Sequence, residues 1–166
     1  MGMGMRRLAR ERAVQFLFEH DLNPPENLSA ALDHFWLTQI AAAHTDEAGD
    51  PIPGESGEPP TASEAALRVF ADDLIRGTLQ HRDDLDEQIK KHAKNWDLHR
   101  MAVVDRNVLR LALYEMIHRE DIPPIVSINE AVDIAKKYST EDSGRFVNGI
   151  LDKVKGELLR PARTSK

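Results

Sequence analysis

The chain has 166 residues, no cysteine, and 28 acidic against 22 basic side chains, for a formal net charge of -6. That length suits one domain that buries about 70% of its unfolded surface without a covalent staple, and the missing thiol excludes disulfides and cysteine nucleophiles. The acidic balance excludes indiscriminate coating of DNA, so any nucleic-acid contact has to be local.

The start, MGMGMRRLARER, lacks the apolar run of a secretion signal, and no later stretch approaches the length of a membrane span, so a soluble cytoplasmic protein is expected. Helical periodicity persists from end to end and no alternating β-branched segment interrupts it, which predicts an all-α fold. A first helix is expected over residues 5–21, with Ala9, Ala13, Phe16, Leu17 and His20 on its core face and a stop at Asn23-Pro24-Pro25. Arg6, Arg7, Arg10 and Arg12 crowd its first turns. There they meet the positive end of the macrodipole, where an exposed cation costs about 0.3 to 1 kcal/mol. Helix stability does not favour that placement, whereas an anionic ligand does. On the helical wheel Arg6 and Arg10 share one azimuth, and Arg7 lies between Val14 and Phe18 on a second apolar strip, about 100° from the core face. The functional reading gives the arginines to phosphates and Val14 with Phe18 to a protein partner. The alternative has arginine stems lying over neighbouring helices, with Phe18 covered by one of them.

A second helix is expected over residues 28–43. Residues 46–62, with four prolines, three glycines and five acidic side chains, read as a flexible loop. Helical pattern resumes over 63–80 and 83–94. The acidic cluster Asp83, Asp84, Asp86 and Glu87 has no glycine or alternating ligands of a calcium loop and reads as a solvated helix start. Residues 103–119 are apolar nearly all round, which marks a central helix. Glu115 falls in its apolar stripe and reads as part of an internal ion pair with Arg110 or Arg119.

Ser127 and Glu130 have capping-box spacing directly after Pro123-Pro124, so a helix is expected to begin at Ile128, with Ile128, Ala131, Val132, Ala135 and Tyr138 facing the core. The last helix is expected to begin near 142–144 and to bury Val147, Ile150, Leu151, Val154 and Leu158. The tail, 161–166, is expected to fray. Phe146 sits about 100° off that stripe, beside Arg145. A displaced aromatic next to a guanidinium suits base stacking on single-stranded RNA, and Lys136 and Lys137 extend the basic track. The alternative makes Phe146 a core residue of a wide stripe. Asp142 either caps the helix or tempers affinity by repelling phosphate. The seven histidines form no metal-ligand spacing, and neither a phosphate loop nor a nucleophile elbow is present, so no enzyme activity, metal or cofactor is expected.

Three segments carry a family likeness: RRLARERAVQFLF, VDRNVLRLALYEM and PPIVSINEAVDIAKKYSTEDSGRFVNGILDKV. Together they resemble the NusB family of bacterial transcription antitermination factors, most strongly over residues 5–22 and 95–156. The resemblance implies one compact helical domain over 1–160, of about seven helices in two packed three-helix-type halves, about 5–82 and 83–160. It implies an RNA-binding adaptor that joins NusE, a small ribosomal subunit protein, on single-stranded boxA-type RNA within an RNA polymerase antitermination complex. Whether the free protein is a monomer or a homodimer stays open. By position, the resemblance assigns Arg6, Arg7, Arg10, Arg145 and Phe146 to RNA, Asp142 to moderating that contact, and Phe18 and Asp105 to NusE. Leu8 stands where relatives can carry an arginine, and Pro124 where they can carry an aromatic residue. The competing expectation is a helical protein-interaction module without direct RNA binding. NusB-like domains also occur ahead of ribosomal RNA cytosine methyltransferases, but this chain has neither a cofactor-binding βαβ unit nor a cysteine nucleophile.

Overall fold

A computed structural model of the chain describes residues 3–43, 61–94 and 97–159. Among them are seven α-helices, one 3₁₀ turn and no strand. The helices are α1 (Met3–Leu22), α2 (Leu28–Ala43), α3 (Ala62–Gln80), α4 (Arg82–His92), α5 (Val103–His118), α6 (Pro124–Tyr138) and α7 (Glu141–Leu159), with the 3₁₀ turn at Leu98–Arg100. No helix among the described residues is long and apolar enough to cross a membrane. The chain divides within α3 into two compact units, Met1–Asp72 and Asp73–Lys166.

In the first unit, α1 ends at the Pro24-Pro25 pair, which cannot continue a helical hydrogen-bond ladder. Asn27 then caps α2 by accepting the Ala30 N–H at 2.9 Å. The side chain of Phe16 meets that of Phe35 edge-on at 5.4 Å between ring centroids. Phe35 in turn meets Trp36 at 5.3 Å, and Trp36 Nε1 donates to Asp72 at 2.7 Å. Ala9, Ala13, Phe16 and Leu17 are buried as their spacing predicts. Of the segment 46–62, only Thr61 and Ala62 fall among the described residues. Thr61 opens α3 with a reciprocal capping box: its N–H donates to Glu64 Oε2 at 2.7 Å and its Oγ1 accepts the Glu64 N–H at 3.1 Å. The expected frayed tail lies outside the described residues.

The second unit is organised by α5, in which every residue from Asn107 to Met116 is buried. Its polar members are tied down locally. Arg110 clasps Asp86 of α4 through Nε and Nη2, at 2.6 and 3.1 Å, and its Nη1 donates to Asn107 Oδ1 at 3.2 Å. Arg119 pairs with Asp73 and Asp121, at 2.6 and 2.9 Å. Ser127 Oγ donates to the buried Glu115 at 3.4 Å. Gly77, on α3, lies against the ring of Tyr114, which fills the space a Cβ would take. This unit also buries Val147, Ile150, Leu151 and Val154 of α7.

Three expectations are corrected here. α6 begins at Pro124 rather than Ile128, because proline at the first helical position has its φ preset and lacks an N–H that would have no partner there. Ser127 and Glu130 are therefore inside the helix, only 1% and 6% exposed, and do not form a capping box. Tyr138 is 50% exposed and Leu158 44%, so each lies outside the core stripe on which its spacing put it. Both sit at the end of their helix, where a stripe runs out of neighbours to cover it.

Candidate nucleic-acid interface

The basic start is woven into the packing of the first unit. The guanidinium groups of Arg6 and Arg10 lie over the Phe70 ring, 5.1 and 5.5 Å from its centroid. Arg10 is only 2% exposed, while Arg6 and Arg7 are half-buried. The Arg6 Nε–H is buried without an acceptor among the described residues, a state that costs about 1–3 kcal/mol until something supplies one. On the second strip of α1, Val14 is buried and Phe18 half-buried.

The second unit builds its candidate site where α6 ends and α7 begins. Thr140 caps α7 by accepting the Ser143 N–H at 3.0 Å. Ser143 Oγ lies 2.8 Å from Ser139 Oγ and donates to Asp105 Oδ2, at the start of α5, at 3.0 Å. This chain of hydroxyls holds the α6–α7 corner to α5 and fixes the direction in which the first turns of α7 point. The periodicity of the sequence does not show the roles of Ser139, Thr140 and Ser143, although five hydroxyl and acidic residues in a row, Ser139 to Ser143, running from the end of α6 into the first turn of α7, are a capping signal. Asp105 is 8% exposed, and its second oxygen, Oδ1, has no hydrogen-bond donor among the described residues. Burial holds its carboxyl above the usual aspartate value, against the opposing pull of the Ser143 and Ser139 hydroxyls.

Around that corner lie the side chains expected to meet RNA. Arg145 is exposed and bonds Asp142 at 3.1 Å. Lys136 reaches toward Glu141 at 3.9 Å, with its stem passing over Gly144. Lys137 lies over the ring of the exposed Tyr138, 5.3 Å from its centroid. Phe146 is half-buried and forms a common wall of two hollows. One, of about 210 Å³, is lined by Arg100, Met101, Asp105, Thr140, Asp142 and Ser143. The other, of about 400 Å³, is lined by His92, Lys94, Arg145, Gly149 and Lys153. The first hollow mixes two carboxylates with the Arg100 guanidinium, whereas the second has basic side chains and no carboxylate in its lining. No group of three or more metal-ligating side chains occurs among the described residues.

A profile of the NusB family matches residues 7–155. The transcription antitermination protein NusB of Geobacter sulfurreducens is 44% identical over 156 residues, covering 94% of this chain and 97% of its own. Among solved structures, T. maritima NusB superposes with a TM-score of 0.67 at 36% identity, covering 92% of this chain and 91% of its own. A structure of antitermination factors NusB and NusE in complex with dsRNA superposes with a TM-score of 0.72 at 25% identity, covering 94% of this chain and 99% of its own. Antitermination factors of this kind are adaptors and not enzymes. On the profile, the identity and the fold together, this chain belongs to the NusB family.

Proposed function

We propose that the protein is an RNA-binding adaptor of transcription antitermination in the bacterial cytoplasm, acting with a NusE-type ribosomal protein on single-stranded boxA-type RNA and delivering it to the transcribing RNA polymerase. The observation that carries this reading is Phe146: an aromatic half open to solvent, flanked by an exposed guanidinium and held in place by a hydrogen-bonded corner. Such a ring stacks an unpaired base, worth about 1–3 kcal/mol, while the neighbouring cation meets the phosphate. Membership of the NusB family and the likeness to a NusB–NusE complex with RNA supply the biological setting.

Within this reading Arg145, Lys136 and Lys137 contact the strand, with Asp142 moderating Arg145 by pairing with it. Arg6 and Arg7 offer phosphate donors, and a phosphate oxygen is one acceptor for the orphaned Arg6 Nε–H. Arg10, sunk over Phe70, positions Arg6 rather than touching RNA itself. Phe18 and Asp105 face the protein partner, and a partner donor reaching Asp105 Oδ1 relieves its unsatisfied oxygen. The burial of Val14 leaves Phe18 as the anchor of that strip.

Because stacking needs an unpaired base, single strand and duplex separate the reading from simple charge attraction. Titrating the protein with a boxA-like single strand and with the duplex of the same sequence, NusE added and omitted, is expected to favour the single strand and to tighten with NusE. Equal affinity for both forms would remove base stacking from the mechanism. No RNA binding at all, with NusE binding retained, would leave a protein-interaction module.

A further inference from the structure

The basic hollow lined by Phe146 and Arg145 extends beyond both of them. It lies between the C-terminal end of α4, which supplies His92, and α7, which supplies Arg145, Gly149 and Lys153; Lys94 follows α4 directly. Arg145, Gly149 and Lys153 are spaced four residues apart, so they stand on one face of α7 and run along it for about 12 Å. The basic side chains differ in how they are employed. His92 Nε2 and Lys91 Nζ, the latter outside the hollow's lining, each lie 3.3 Å from the Glu157 carboxylate, which offsets the Lys91 charge at that end of the groove. Lys94 and Lys153 have no hydrogen bond or ion pair among the described residues, and both are exposed at the rim. In a chain with a net charge of -6, two uncompensated cations on one hollow are a local reversal of field. That local field attracts an anionic strand.

The floor adds a second, independent observation. A Cβ placed on Gly149 would meet nothing within 4 Å, so the glycine is not demanded by packing around it. Glycine inside a helix costs about 0.8–1.0 kcal/mol relative to alanine. Its presence here leaves the floor of the hollow bare between Arg145 and Lys153.

We propose that this groove is a second segment of the RNA path, in which Lys94 and Lys153 hold the ribose–phosphate backbone of the nucleotides that continue from the base stacked on Phe146. The proposal rests on the RNA-binding reading above and extends it to one side of the stacked base. Backbone contact alone carries no sequence information, so the extension raises affinity for length rather than for sequence.

The test compares a short single-stranded RNA with versions lengthened by a few nucleotides at either the 5′ or the 3′ end. In the unaltered protein one of the two extensions is expected to tighten binding about fivefold to tenfold at low salt, and to steepen the log–log salt slope by about 1.4 for two phosphate contacts on a single strand. Lys94→Ala with Lys153→Ala is expected to abolish that gain. Gly149→Glu, which introduces a carboxylate at a position where a Cβ meets nothing within 4 Å, is expected to abolish it too, with the melting temperature held or raised. No gain from either extension, or a gain that survives both variants, overturns the groove. An acidic polyglutamate peptide taken up as tightly, with the same dependence on Lys94 and Lys153, overturns RNA as its occupant. Phe146→Ala on the short strand reports separately: if it leaves short-strand affinity unchanged, the underlying stacking reading fails, whatever the extensions do.

Discussion

The two arginine-bearing regions use the same side chain in opposite ways. In α1, Arg10 is 2% exposed over Phe70, whereas the Arg145 side chain on α7 is 78% exposed and, among the described residues, tied only to Asp142. A guanidinium buried over an aromatic ring is part of the core and is felt as stability. One in solvent contributes little to the fold, since exposed pairs are worth about 0–1 kcal/mol, and its charge remains available to a ligand. Counting arginines in a sequence therefore overstates an interface wherever some of them are structural.

The sharpest way to break this contrast is at Arg10. Arg10→Ala is expected to lower unfolding free energy by about 2–3 kcal/mol in chemical denaturation, from the loss of a desolvated cation–π contact and of the buried packing of its stem. A variant as stable as the parent, yet deficient in RNA binding, would move Arg10 to the interface. Next in size is Phe146→Ala, expected to weaken single-stranded RNA binding by about 1–3 kcal/mol with little change in melting temperature. Unfolding of that variant would make the ring a core residue. Arg145→Ala is expected to reduce the salt slope of RNA binding by about 0.7, one phosphate contact on a single strand. Asp142→Asn, which frees the same guanidinium, is expected to tighten RNA roughly twofold to fivefold, in line with an exposed pair. Weaker binding by Asp142→Asn would show that the carboxylate helps to place Arg145.

Asp105 supplies the smallest and most diagnostic effect. Because burial raises its pKa above the ordinary value of 3.8, the folded protein holds the proton to higher pH than the unfolded chain does. Its contribution to stability is thus fully present below that value and is lost as pH rises through the raised one. Asp105→Asn removes this dependence, so urea melts are expected to show the variant gaining on the parent as pH climbs from acid toward neutral. The opposite trend would mean that the ionised carboxylate is already well satisfied in the free protein.

Much of the helical order was legible because burial in helices leaves a periodic trace. The all-round apolar run of α5 and the Val147, Ile150, Leu151 and Val154 stripe emerged as expected. Capping was legible only in part. Thr61 with Glu64 and Ser127 with Glu130 have the same spacing, yet only the first pair forms a capping box. Solvent decides between them, because Ser127 is buried and its hydroxyl serves Glu115, while the proline ahead of it has already begun the helix. Similarly, the wheel put Val14 and Phe18 on one strip, but only tertiary packing sets how far along α1 that strip is covered. The hydroxyl chain from Ser139 to Asp105 joins residues 38 apart in its longest link, beyond the reach of any local pattern.

Phe146 is shared by a hollow that holds the Asp105 and Asp142 carboxylates with Arg100 and by a second that is basic. On the proposed reading, the ring meets RNA and also lies beside the partner's donor to Asp105, so it adopts one rotamer that suits both. Ordering it for the first ligand spares the second that cost, so each binds more tightly in the other's presence, by the same factor in either direction. One aromatic side chain would then make assembly cooperative, with no contact needed between the two ligands.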